Sequence, residues 1–170
     1  GVRFPDFYMA SPVCSPSRAA MLTGSYPLRV GFGGRSIDNA PVLFPGQAQG
    51  LHPDEITIAR LLQDAGYATA CIGKWHLGSN PATNSTPKEQ GFDYDYSILY
   101  SHEEGFPGPA PAADLFPPVP LTERDEIVEQ PVQLDTVGAR EAVKAGMAVG
   151  AEKRSKLQDD KDALKVLFKR

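Results

Sequence analysis

The sequence predicts an α/β fold in which a mostly parallel sheet is flanked by helices. Apolar residues recur at helical spacing over 54–65, and a glycine follows at position 66. The next segment, 67–73, is short and largely apolar, as a buried strand would be. Helix, glycine and buried strand in this order are typical of a βαβ protein with a parallel sheet.

Composition limits the classes of protein to consider. The chain has 170 residues, of which 41% are hydrophobic, so it suffices for one domain that buries about two thirds of its unfolded surface. Its net charge of -4 argues against binding nucleic acid or an anionic membrane through bulk charge. No run approaches the roughly 18 apolar residues of a membrane span, and no segment has the layout of a signal peptide.

The first elements follow from local residue types. Residues 3–10 combine aromatic and aliphatic side chains and predict a short strand. Ser15 is a natural N-cap, Pro16 suits the first helical position, and Gly24 ends the helix. Residues 25–53 hold many glycines and prolines and predict a long surface excursion, a kind of loop that is often functional.

The second helix and the strand after it place a candidate site. Asp54 is the predicted cap of the helix, and Gly66 ends it in the left-handed conformation. The loop 74–78 leaves the strand at its carboxyl end, where open α/β sheets bind ligands. Residues 90–100 predict a turn and a further strand, whereas the Pro-rich stretch 105–131 predicts an irregular, exposed segment.

The composition changes after residue 137. The tail, 138–170, has nine basic residues against five acidic ones, although the whole chain is acidic. It is rich in alanine and lysine and predicts a helical segment. We therefore divide the chain into a domain over 1–137 and a divergent basic tail over 138–170.

The densest chemistry lies in Cys14-Ser15-Pro16-Ser17-Arg18. A cysteine at a helix N-terminus lies in the positive end of the helix dipole, which favours its thiolate. Arg18 follows one turn later and can hold an oxyanion with two hydrogen bonds. These residue types predict an anion site with a reactive group at position 14. Taken alone, they leave open a buried structural cysteine and a surface arginine.

The loop 74–78 adds a second cation and an acid–base group. Lys74 can neutralise charge on an oxyanion, and His76 has the proton affinity that suits acid–base work near neutral pH. Taken alone, each side chain is also compatible with an ordinary solvated loop residue.

Two segments together resemble the type I sulfatases. The segment from Cys14 to Gly24, CSPSRAAMLTG, is similar to the first signature of that family, and the segment from Gly66 to Gly78 is similar to the second. Residues 100–105 (YSHEEG) resemble the branch of arylsulfatase A and N-acetylgalactosamine-6-sulfatase in particular. The resemblance covers residues 1–137 and implies part of an alkaline-phosphatase-like sandwich, incomplete in this chain.

The resemblance implies a role for each candidate residue. Cys14 would be oxidised by the formylglycine-generating enzyme to formylglycine, whose hydrated gem-diol attacks the sulfur of a sulfate ester. Arg18 would hold the diol, Lys74 would bridge the diol and the sulfate, and His76 would act as base. Ser101 would lie near the substrate sulfate. The family's Ca²⁺ or Mg²⁺ would bind the formylglycine oxygen at position 14.

The resemblance also implies what this sequence lacks. The family's Asp-Asp motif and its later Asp-Asn or Asp-His pair have no counterpart here, so the other metal ligands are missing and activity of this chain alone is in question. Two alternatives therefore stay open. One is a non-catalytic module that binds sulfated glycans or a partner, and the other is a phosphate or phosphonate ester hydrolase. The implied substrates are sulfated small molecules, glycans or lipids, and the implied locations are lysosomal, secreted or periplasmic.

Overall fold

The structure is a computed structural model that describes residues 1–34, 41–79, 83, 85–101, 118–130, 132, 148 and 151–152. Its elements, in chain order, are α1 (Cys14–Thr23), a short 3-10 helix (Pro27–Val30), α2 (Ile58–Asp64), β1 (Ala70–Lys74), β2 (Tyr94–Ile98), β3 (Leu121–Glu123) and β4 (Glu126–Glu129).

The four strands form one mixed sheet in the order β1-β2-β3-β4. β1 and β2 are parallel, with Cys71 opposite Asp95, as the helix–glycine–strand pattern predicts. β2–β3 and β3–β4 are antiparallel, so the α/β class is confirmed, but the described sheet is mixed rather than mostly parallel.

The hairpin of β3 and β4 corrects the prediction for the Pro-rich stretch. Residues 121–129 were expected to be irregular, but they form two strands joined at Arg124 and Asp125. Both turn residues are left-handed, with φ of 51° and 68°. Because such turns usually carry glycine or asparagine, this one gave no signal in the sequence. Residues 105–117 lie outside the described part of the chain.

Both helices begin at other caps than predicted. The N-cap of α1 is Val13, and the Ser15 hydroxyl accepts a hydrogen bond from the Leu43 N–H instead of capping the helix. The N-cap of α2 is Thr57 rather than Asp54, and its hydroxyl accepts from the Arg60 N–H at 3.1 Å. The left-handed glycines after the helices, Gly24 and Gly66, are confirmed with φ of 66° and 87°.

The predicted first strand is absent from the described sheet. Residues 3–10 join none of its four strands. Pro5 lacks the N–H that a ladder needs, and the side chains of Phe4, Phe7 and Tyr8 are exposed rather than packed. Residues 3–10 therefore have the composition of a strand, but no described strand pairs with them.

The main buried cluster lies between α1, the segment 25–53 and the loop after β1. Four of its members, Val30, Phe32, Leu43 and Leu51, belong to the segment predicted as a surface excursion, so that prediction was wrong for them. Through these four residues the segment packs against α1 and against the loop 74–78. The other members are Ala19, Trp75 and Leu77.

Two further predictions, for the tail and for membrane spans, can be compared with the described residues only. The helical tail over 138–170 lies outside the described residues except at 148, 151 and 152, which are helical. Across the described segments, no helix combines the length and the apolar character that spanning a bilayer requires.

Candidate active site

Cys14 is the first residue of α1 and is partly exposed. The helix starts tightly around it, because the Ser17 hydroxyl donates to the Cys14 carbonyl at 3.0 Å and the Ser17 N–H donates to Val13 at 3.3 Å. The first N–H groups of a helix carry partial positive charge. A negatively charged or oxygen-rich group at position 14 is therefore stabilised by the backbone alone.

Arg18 ties α1 to the loop that follows β1. Its Nε donates to the Trp75 carbonyl at 2.9 Å, and its Nη2 donates to the carbonyl of Lys74. Burial lowers the pKa of Arg18, while the nearby thiols of Cys71 and Cys14 act in the opposite direction. An arginine keeps its charge under such a shift. The guanidinium is thus a fixed cation beside position 14.

Lys74 and Ser101 meet at the carboxyl edge of the sheet. Lys74 is the last residue of β1, and its Nζ donates to the Ser101 hydroxyl at 2.9 Å. Ser101 follows shortly after the parallel strand β2. The structure therefore brings these two predicted residues together at the edge where α/β sheets bind ligands.

His76 is completely buried, so it is not the solvated loop residue that its type alone allowed. Its Nε2 lies 2.7 Å from the Leu43 carbonyl, and its ring packs edge-on against Tyr100 with 6.2 Å between the ring centres. Its backbone is left-handed, with φ of 58°. Sequence reasoning missed Leu43, because a backbone carbonyl that acts at long range has no residue-type signal.

Trp75 and Gly78 fix the loop 74–78 against Ser85. The Trp75 indole N–H donates to the Ser85 carbonyl at 2.9 Å, and the side chain is 2% exposed. Gly78 has φ of 124°, and a Cβ there would lie 2.3 Å from the Ser85 hydroxyl oxygen. Only glycine meets both conditions at this position.

The second cysteine has a different environment from the first. Cys71 lies in β1 and packs against the main buried cluster. Burial and the nearby Asp95 raise the pKa of Cys71 to about 12, although Arg18 opposes them. Cys71 is therefore a protonated thiol packed beside the core.

Three of the implied side chains carry charge or acid–base function, but the implied metal is not accommodated. Among the residues that the structure describes, no group of three histidine, cysteine, aspartate or glutamate side chains is placed to hold an ion. Cys14 alone, as formylglycine, is one ligand, and Ca²⁺ takes six to eight oxygens. The described residues do not fit a metal site by themselves.

Comparison with known proteins agrees with the two signatures. Residues 1–109 match the family model described as Sulfatase. Human arylsulfatase G is 42% identical over 166 residues, which cover 85% of this chain and 30% of that protein. Human arylsulfatase A is 42% identical over 118 residues, which cover 69% of this chain and 22% of that protein.

A solved structure shares the fold at similar coverage. It is Ps i-CgsB in complex with k-i-k-neocarrahexaose, with a TM-score of 0.55 and 29% identity over 71% of this chain and 28% of that one. The chain thus spans between 22% and 30% of the length of these relatives.

Proposed function

The chain belongs to the sulfatase family, and from that premise we propose that it supplies the nucleophile and the cationic cradle of an arylsulfatase-type sulfuric ester hydrolase. The observation that carries the proposal is the pair of hydrogen bonds from Arg18 to the carbonyls of Lys74 and Trp75. They join the helix that begins with Cys14 to the loop that contains Lys74 and His76.

The proposed nucleophile is position 14 after oxidation of Cys14 to formylglycine. One oxygen of the hydrated aldehyde attacks the sulfur of R–O–SO₃⁻, the S–O bond to the alcohol breaks, and the alcohol leaves with a proton. The second diol hydroxyl then gives up its proton, the aldehyde C=O forms again, and the bond to sulfate breaks. Water rehydrates the aldehyde, so the sum is ester plus water to alcohol plus sulfate.

The residues around position 14 have complementary tasks. The α1 N-terminus and the Arg18 guanidinium stabilise the diol oxygens as negative charge develops on them. Lys74, oriented by its hydrogen bond to Ser101, is the cation proposed for the sulfate oxygens. His76 is the proposed base that takes the proton of the second hydroxyl. No step is assigned to a metal, because the described residues do not fit one.

Mass spectrometry of the tryptic peptides tests the nucleophile. We expect the peptide 4–18 from protein made together with the formylglycine-generating enzyme to be about 18 Da lighter than its cysteine form. The peptide 61–74, which carries Cys71, is the internal control and should keep its thiol. An unmodified Cys14 under these conditions would overturn the proposal.

Turnover and binding measurements separate the alternatives. The full-length protein should hydrolyse an aryl sulfate faster than the matching aryl phosphate; the reverse order would indicate a phosphate or phosphonate ester hydrolase. Binding of a sulfated sugar without hydrolysis would indicate a non-catalytic module. The printed names of the relatives favour neither alternative.

The family also suggests a substrate class, a partner and a location. We propose a sulfated small molecule, glycan or lipid as substrate, the formylglycine-generating enzyme as partner, and a lysosomal, secreted or periplasmic protein. The mildly acidic charge continues to argue against a nucleic acid partner.

A further inference from the structure

A chain of two hydrogen bonds connects the helix of Cys14 to His76. The Leu43 N–H donates to the Ser15 hydroxyl oxygen at 3.2 Å, and the carbonyl of the same residue lies 2.7 Å from His76 Nε2. All three residues are almost completely buried, with exposures of 0%, 1% and 0% for Ser15, Leu43 and His76. Water therefore does not compete for these bonds.

This chain determines which ring nitrogen of His76 carries the proton. A carbonyl oxygen can only accept, so Nε2 must be the donor in the bond to Leu43. In the neutral imidazole the lone pair then lies on Nδ1, which becomes the atom that can take up a proton while the Leu43 bond is kept.

The ring has little freedom to reverse this assignment. Tyr100 packs edge-on against it, and the left-handed backbone of His76 fixes where the ring leaves the chain. A non-glycine residue in that conformation persists only where its surroundings hold it, and such residues cluster at functional sites. Here the surroundings are the Leu43 carbonyl and the Tyr100 ring.

We propose that Ser15 is a positioning residue, which aligns the Leu43 peptide so that its carbonyl keeps the proton of His76 on Nε2 and leaves Nδ1 as the base. The inference rests on the proposed function, in which His76 is the base. The hydroxyl also polarises the peptide through the N–H, which strengthens its carbonyl as an acceptor. Ser15 follows Cys14 directly, so one helical turn positions both the nucleophile and the base.

The ¹⁵N NMR spectrum of histidine-labelled full-length protein tests this assignment without requiring activity. At a pH where the ring is neutral, we expect His76 to be the Nε2–H tautomer, with its signals assigned by their loss in His76→Gln. In Ser15→Ala the tautomer should shift toward Nδ1–H, whereas Ser15→Thr should retain the wild-type form. A wild-type His76 with its proton on Nδ1 would overturn the inference, even if the enzyme is active.

Kinetics give the second measurement, with Ser97→Ala as the matched control. Ser97 is also completely buried, and its hydroxyl bonds Thr122 in the sheet at 3.2 Å. We expect Ser15→Ala to lower kcat about tenfold with little change in KM and to move the acidic limb of the pH profile, on which a general base loses its proton, since one positioning hydrogen bond is lost. Ser97→Ala should lower the melting temperature without moving that limb. Identical pH profiles for the two variants would contradict a positioning role.

Failure of the proposed function and failure of the inference about Ser15 can be told apart. If Cys14 stays an unmodified thiol and sulfate esters are not hydrolysed, the proposed function fails. The tautomers of wild type, Ser15→Ala and Ser15→Thr still decide whether Ser15 controls the proton of His76.

Discussion

Among the residues that the structure describes, two regions hold non-glycine residues in the left-handed conformation, and they differ in what surrounds them. His76, with φ of 58°, is completely buried against the Leu43 carbonyl and the Tyr100 ring. Arg124 and Asp125, with φ of 51° and 68°, form the turn between β3 and β4. A two-residue turn of this hand matches the twist of its strands, so the sheet itself requires their conformation.

The difference shows when backbone strain indicates function. At the hairpin the strands account for the conformation, and the side chains make accessory contacts, such as Arg124 over the Tyr94 ring at 5.6 Å. At His76 the conformation is held by contacts to the imidazole, a group that can exchange protons. Left-handed backbone therefore points to chemistry only where the contacts that maintain it also orient a reactive side chain.

The largest expected effect is on catalysis and separates the two regions directly. His76→Gln should lower the turnover of an aryl sulfate by about 10²–10⁴-fold, because the base is lost. Arg124→Gln changes a left-handed residue in the same way and should leave turnover unchanged. Steady-state kinetics on the full-length protein measure both, and circular dichroism checks that each variant is folded. Equal turnover in the two variants would remove the distinction between the regions.

The next effect concerns the support of the loop 74–78. Gly78→Ala should destabilise the protein by about 3 kcal/mol, because it combines an unfavourable φ with a steric clash against Ser85. Gly46 also has positive φ, 83°, but nothing lies within 4 Å of its Cβ position. Gly46→Ala should therefore cost only about 1 kcal/mol. Urea denaturation compares the two, and equal losses would show that the loop yields around Ser85.

Local residue types predicted much of the site and little of its long-range support. They placed Cys14 just before a helix N-terminus and Lys74 just after a strand, and the structure has them as the first residue of α1 and the last residue of β1. They could not indicate the Leu43 peptide, because its role depends on two backbone atoms and not on its side chain. Ser15 was expected to cap α1 for the same reason, because local residue types do not reveal its long-range bond to the Leu43 N–H.

The elements with a periodic apolar pattern were predicted, whereas the hairpin, whose formation depends on its turn residues, was missed. The spacing of apolar residues identified α2 and the parallel pairing of β1 with β2. The β3–β4 hairpin was missed, because Arg124-Asp125 is not a usual turn pair and prolines precede it. Residues 3–10 were predicted to be a strand from composition, which reports suitability for a sheet but not the presence of a neighbour.

The strand beside the hairpin, β2, carries a buried carboxylate whose burial has an electrostatic cost. Asp95 is 2% exposed, and burial together with the carboxylates of Asp125 and Glu123 raises its pKa from 3.8 to about 6. The Asp125 N–H, which bonds the carboxylate, and Lys88 act in the opposite direction. Because the folded pKa is the higher one, the stabilising contribution is complete below pH 3.8 and is lost as the pH rises through about 6.

Asp95→Asn should remove this dependence. At pH 7 the variant should be about 2 kcal/mol more stable than wild type, and at low pH the difference should vanish. Thermal unfolding across that range measures it. Asp64→Asn, which replaces an exposed carboxylate at the end of α2, is the control and should show no such pH-dependent gain. A parallel pH profile for Asp95→Asn and wild type would assign the cost to another group.

The smallest effect isolates the backbone of the hairpin turn from its charges. Asp125→Gly and Asp125→Ala both remove the carboxylate that faces Lys88 at 3.5 Å and raises the pKa of Asp95, so their electrostatic consequences are the same. They differ in the cost of φ at 68°, which glycine adopts freely and alanine does not. We expect the glycine variant to be about 1 kcal/mol more stable than the alanine variant in denaturant unfolding. Because this difference belongs to the turn alone, both variants should have the same turnover; a difference in turnover would mean that the hairpin, like the loop of His76, contributes to the site.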